Sequence, residues 1–231
     1  MFTLLIRLNG PLQSWGYESL YDNRNTEYYP TKSGVIGMIA AALGRAREDS
    51  CEDLNSLLMG IRIDRQGILL KDFQITDMGE KLNKNLSKRV YLSDATFLVG
   101  LSSEDYELLK KIQSALHHPK YCLFLGRKSC PPTLPLELGI ENKDLYQSLL
   151  QSPWLVSPQM QSRMVVGNES IRLRIIVESK DGTAKKDLPV SFKSTDRRYA
   201  YRYVVEMPGK VIAKRAEEMT EHDPMRELED N

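Results

Sequence analysis

The sequence predicts an α+β fold, and three observations carry that prediction. Strand and helix patterns run in the order strand, helix, strands, helix, strand through residue 125. The two long helical segments start and stop at recognisable caps. Further strand patterns follow a proline-rich connection beyond residue 131. This is the βαββαβ order of the ferredoxin-like fold, which RNA-recognition modules share, here with a protruding loop and additional C-terminal strands.

The elements follow in order. "FTLLIRLN", residues 2–9, is apolar but for Arg7 and stops at Gly10-Pro11, so it reads as a first strand. Residues 10–31 read as a long irregular loop in which Trp15, Tyr17, Tyr21, Tyr28 and Tyr29 alternate with Gln13, Arg24 and Asn25. "PTKSGVIGMIAAALGR" begins with helix-start signals, with Thr31 or Ser33 as the cap. It repeats apolar residues at helical spacing and ends at Gly44. A short helix is expected over 51–60 and strands over 61–64 and 67–76. The polar stretch 77–89 reads as a protruding loop, and 90–101, "VYLSDATFLVGL", as a strand. A helix capped by Ser102 or Ser103 runs to Pro119, and "YCLFL", 121–125, is the next strand. Beyond it a helix is expected over 142–151 and strands over 163–166, 170–178 and 199–206, with "KDGT" near 180 as a turn. The organisation expected is a core over 1–131 with its loop near 77–89, a β extension over 132–209 packed on it, and a polar tail over 210–231.

Composition bounds the chemistry. The 231 residues suffice for one large domain or two small ones. No apolar run approaches the roughly 20 residues of a membrane span, and "MFTLLIRLNG" lacks the features of a signal peptide. Cys51, Cys122 and Cys130 form no CxxC pair, as expected of reduced thiols in a cytoplasmic chain. With His117, His118 and His222 they complete no usual zinc ligand set, so neither metal nor cofactor is expected. The formal net charge is only +1, but cations gather at Lys84–Arg89, Arg127–Lys128 and Arg197–Arg202, while acids gather in the tail. A neutral protein can thus present a locally basic surface.

Four stretches can serve an anion. In "GRKS", Gly126 permits close approach of backbone, Arg127 suits a bidentate phosphate contact, and Lys128 and Ser129 add a charge and a hydroxyl. Lys32 and Ser33 stand at a helix N-terminus, which favours anions. In "TDRRYAYRYVVEM", Tyr199, Tyr201 and Tyr203 alternate with Arg198 and Arg202, a pattern suited to stacking on bases and pairing with phosphates. Lys81, Lys84, Lys88 and Arg89 can follow a nucleic-acid backbone. Each also has a plain reading: solvated loops, an ordinary helix cap, and a half-buried strand with tyrosines inward. For catalysis there is no GxSxG, HExxH, Walker loop or GxGxxG. His117-His118 at a helix end, with Lys120, is the remaining candidate pair for a metal-free ribonuclease.

Four stretches taken together, "LIRLNGPLQSWG", "YPTKSGVIGMIAAALG", "YLSDATFLVGL" and "YCLFLGRKSCP", resemble the Cas-five family of the RAMP superfamily, in particular its CasD-type members from type I-E CRISPR Cascade. The likeness covers residues 1–131 and continues more loosely to "LPVSFKSTDRRYAYRYVV". It implies a ferredoxin-like fold with a glycine-rich loop, matched here by "GRKSCP". It further implies a non-catalytic subunit that holds the 5′ handle of CRISPR RNA (crRNA) and caps one end of Cascade. Such a subunit sits between the backbone RAMP subunits and the large subunit. Its lysine-rich loop would be a thumb, and target DNA would be met only indirectly, through guide pairing. The type I-C relative cuts repeat RNA, so metal-independent endoribonuclease is the rival activity. The residues implied in RNA binding are Gln13, Trp15, Arg24, Lys32, Ser33, Lys84, Lys88, Arg89, Gly126, Arg127, Lys128, Ser129, Arg198 and Arg202.

Overall fold

A computed structural model of the chain describes residues 1–16, 23–76, 85–165 and 170–213. The first strand, β1 (Phe2–Asn9), shows why its sequence is nearly all apolar. Leu4, Ile6 and Leu8 enter one core while Leu5 enters another on the opposite face, so β1 is covered on both sides. Two very short strands follow, β2 (Leu12–Gln13) and β3 (Asn23–Arg24), and then helix α1 (Lys32–Leu43). Thr31 is the N-cap, its hydroxyl accepting from the Gly34 amide, and Gly44 ends the helix at φ 78°.

The short helix α2 (Glu52–Asn55) leads into β4 (Leu58–Arg65) and the hairpin β5 (Ile68–Thr76) and β6 (Asn85–Ser93). β7 (Thr96–Ser103), α3 (Tyr106–His117), β8 (Glu137–Glu141), α4 (Leu145–Gln151) and α5 (Pro158–Val165) come next. The long strands β9 (Ser170–Ser191) and β10 (Arg198–Ala213) close the described chain.

Two sheets result. The larger has the order β10-β9-β4-β7-β1-β8, with every pair antiparallel. Its main core holds α1 and α3 against β1, β4 and β7, through Val35, Ile36, Ile39, Leu109 and Ile112. α4 covers the other face with Leu145 and Leu149. It comes close because Gly60 and Gly100 leave room: a Cβ on either would stand 2.7 Å from a leucine methyl of α4. The smaller sheet is centred on β6, which pairs β5 along its full length, β2 over two residues, and β3 in parallel.

Several expected elements differ, each for a physical reason. Residues 121–125 form no strand. They run beside α1, with the Lys120 and Tyr121 amides donating to carbonyls in the last turn of that helix, Ala42 (3.0 Å) and Ala41 (3.3 Å). Their apolar character reflects Leu125, fully buried in the main core. The strand that pairs β1 on the side away from β7 is β8, whose charged ends and central glycine hide it in the sequence. Residues 90–101 are two strands, broken where Asp94 adopts φ 54°. Residues 85–89, expected in the protruding loop, belong to β6; the remainder of that loop, 77–84, lies outside the described residues. β4 begins at Leu58, inside the stretch expected as helix. Asp105 caps α3, since Ser102 and Ser103 are still in β7. Residues 163–165 belong to helix α5, and "KDGT" continues β9 with register shifts against β10. Strands on both sides of the boundary expected at residue 131 belong to one sheet. Most of the polar tail lies outside the described residues.

Candidate nucleic-acid interface

Gly126 fixes the loop that opens the site. Its φ is +89°, and a Cβ there would fall 1.6 Å from the Ser14 carbonyl oxygen, so only glycine fits. The Ser14 amide donates to Leu125 O at 3.0 Å, which seats the turn against the segment following β2. The loop, α1, β6 and residues 192–199 together enclose a cleft of about 1180 Å³.

Seven cations line this cleft: Arg24, Arg45, Arg47, Arg89, Arg127, Lys128 and Arg197. No Asp or Glu does. Tyr121, Phe124, Phe192 and Tyr199 supply aromatic surface among them. Cations with interleaved rings form a surface suited to a single-stranded polyanion. Arg47 and Lys128 are exposed and have no carboxylate partner among the described residues. Arg45 pairs with Asp53, which lies outside the cleft. The Nε of Arg89 is buried and makes no hydrogen bond. Below it, burial raises the Tyr91 phenol, but hydrogen bonds from Ser129, Arg127 and Arg89 outweigh this and hold it below its ordinary range.

The fourteen expected contact residues divide. Arg24, Arg89, Gly126, Arg127, Lys128 and Ser129 meet around the cleft, and Ser33 and Trp15 contribute to its wall. Gln13, Trp15, Lys32 and Arg202 are enclosed and make contacts within the chain. Trp15 Nε1 donates to Gln13 Oε1 (3.0 Å), and Gln13 Nε2 donates to Ala95 O (2.8 Å). Lys32 Nζ pairs with Glu178 (3.0 Å) and donates to Leu57 O (2.7 Å). Arg202 grips Asp187 with Nε (2.5 Å) and Nη2 (2.9 Å), and reaches Glu178 with Nη1 (3.1 Å). The expected anion site at the start of α1 is likewise taken, because the Lys32 amide donates to Asp187 Oδ2 at 2.9 Å. The internal carboxylate stands where a phosphate was expected. Ser33 is almost wholly buried. Lys88 and Arg198 are exposed but outside the cleft, Arg198 pairing with Asp196 at 3.0 Å. Lys84 lies outside the described residues.

Sequence reasoning missed Arg45 and Arg47. They follow Gly44 at alternate positions just past the end of α1, and a cation pair beyond a helix C-cap was the available signal. His117 and His118 stand elsewhere. His117 pairs with Glu137, which Gln113 Nε2 also contacts (2.9 Å), and neither His117 nor His118 lines the cleft. Among the described residues no group of His, Cys, Asp and Glu is placed to hold a metal ion. No described helix is long and apolar enough to cross a membrane.

A family model described as CRISPR-associated protein (Cas_Cas5) matches residues 3–205. The chain belongs to the Cas5 family. The match runs through all four stretches on which the resemblance was read. A curated relative, CRISPR system Cascade subunit CasD of Escherichia coli strain K12, is 32% identical over 158 residues, which are 59% of this chain and 70% of the relative. Among solved structures, one titled "Crystal structure of Cas protein" superposes with TM-score 0.71 at 40% identity, covering 90% of this chain and 95% of that one. A chain of a CRISPR RNA-guided surveillance complex superposes with TM-score 0.74 at 31% identity, covering 90% of each.

Proposed function

We propose that this Cas5 protein is a non-catalytic, cytoplasmic subunit of the type I-E CRISPR effector Cascade. It binds and caps the 5′ handle of crRNA, and so supports RNA-guided recognition of foreign DNA. The single observation that carries this reading is the cleft beside the Gly126 turn, lined among the described residues by seven cations and no carboxylate. Phosphates supply the missing negative charge, and the interleaved rings accept bases. The order β8-β1-β7-β4, with α1 and α3 on one face, supports reading the core as ferredoxin-like. The β5–β6 hairpin takes the part of the thumb. It directs exposed Ile68, Phe73 and Ile75 toward a neighbouring backbone subunit, and the large subunit and target DNA are reached through the assembled complex.

The rival endoribonuclease, as read from the sequence, would use a histidine beside the RNA as its general base. His117 faces Glu137 instead, and both histidines stand outside the cleft. The test is to purify the tagged chain with its native partners and sequence the bound RNA. Guide transcripts whose handle is shielded from added nuclease are expected; a complex without RNA, or with an unshielded handle, overturns the proposal. Repeat RNA incubated without metal should stay intact. Cleavage that disappears in a His117→Ala/His118→Ala variant would make the protein a nuclease.

A further inference from the structure

Arg127 was expected to grip a phosphate, yet its guanidinium is already committed within the chain. Nη1 donates to Val90 O at 3.1 Å, and Nη2 donates to Arg24 O at 2.6 Å and Asn25 O at 3.4 Å. The group also sits over the Tyr91 ring, 4.6 Å from its centroid. These contacts join three separate pieces of chain: the Gly126 loop, β6, and the segment carrying β3. That segment needs holding. Among the described residues β3 pairs with β6 through two residues, Asn23 with Lys88 and Arg24 with Arg89, and beyond them Thr26 Oγ1 accepts from the Trp15 amide at 2.8 Å. The second pairing places two guanidinium side chains on neighbouring positions, an unfavourable like-charge match.

We propose that Arg127 is a positioning residue: a latch that fastens the β3 segment to β6 and so holds Arg24 beside Arg89 at the cleft rim, where those two arginines meet the RNA backbone. The shape of the side chain matters more than its charge. A planar fork can serve three carbonyls while stacked on a ring; an ammonium cannot. The proposal rests on the RNA-binding reading of the cleft for its consequence, but not for its geometry.

The experiment separates the two. Hydrogen exchange is followed on the RNA-free full-length chain as wild type, Arg127→Ala and Arg127→Lys, and each is then titrated with 5′-handle RNA over a range of salt. Amides of residues 23–26 are expected to exchange about tenfold faster in both variants. Lysine should fail to restore RNA affinity, and both variants should lose about one contact from the salt slope. Wild-type exchange at 23–26 in Arg127→Lys, with affinity retained, overturns the latch and makes Arg127 a simple charge contact. Faster exchange in both variants when even the wild type binds no handle RNA leaves the latch standing and removes the RNA reading. If Arg127→Ala does not fold, Arg127→Lys alone decides, its melting curve confirming the global fold.

Discussion

Gly126 and Lys32 show how differently two residues singled out in a sequence can serve. Gly126 stands where close backbone approach was expected, but the approaching backbone is the protein's own Ser14. Gly126→Ala combines that clash with a left-handed φ, so it should lower stability by at least about 3 kcal/mol. A melting midpoint unchanged against wild type would refute this. Lys32, chosen for its place at a helix start, belongs to a buried group of two cations and two carboxylates with Glu178, Asp187 and Arg202. Burial pushes its ammonium below the ordinary range, against the pull of Glu178. Lys32→Met leaves the carboxylates in excess and should cost about 3–5 kcal/mol, read by denaturant titration. Residue identity predicted the chemistry at both places. It did not predict the partner, because Asp187 lies 155 positions from Lys32 and no local pattern announces a pairing of that separation.

At the scale of elements, hydrophobic pattern located β1, α1 and α4 well, because each carries buried apolar residues at the spacing of its own geometry. It failed at 121–125, where burial comes from one leucine under a cleft, and at β8, which has little apolar pattern to read. The β5–β6 hairpin is the opposite case: legible as strand, yet its apolar residues are left outside, with Ile68 70% and Ile75 68% exposed. Such surface on a projecting hairpin suits a partner protein. The variant Phe73→Asp/Ile75→Asp should therefore leave stability within about 0.5 kcal/mol of wild type and still bind handle RNA. It should lose co-purification with the neighbouring subunits. Retained co-purification would place the partner surface elsewhere.

For the whole molecule, a net charge of +1 conceals a separation. Residues 214–231 hold seven acids and three cations, so the rest of the chain carries +5. The cleft, lined among the described residues by seven cations and no carboxylate, is the sharpest expression of that imbalance. Overall composition hid it because the compensating acids sit elsewhere along the chain. Two measurements follow. Arg47→Ala and Lys128→Ala, each exposed and without a carboxylate partner among the described residues, should each flatten the salt dependence of handle binding by about 0.7 to 1 contact. Truncation after Ala213 should strengthen binding at low salt by roughly threefold to tenfold, since removing like charge deepens the attraction felt by RNA. The gain should fade as ionic strength rises and the Debye length falls below about 10 Å. A gain that persists at high salt would mean instead that the tail competes for the cleft by direct contact, and no gain at low salt would mean its charge does not reach the RNA.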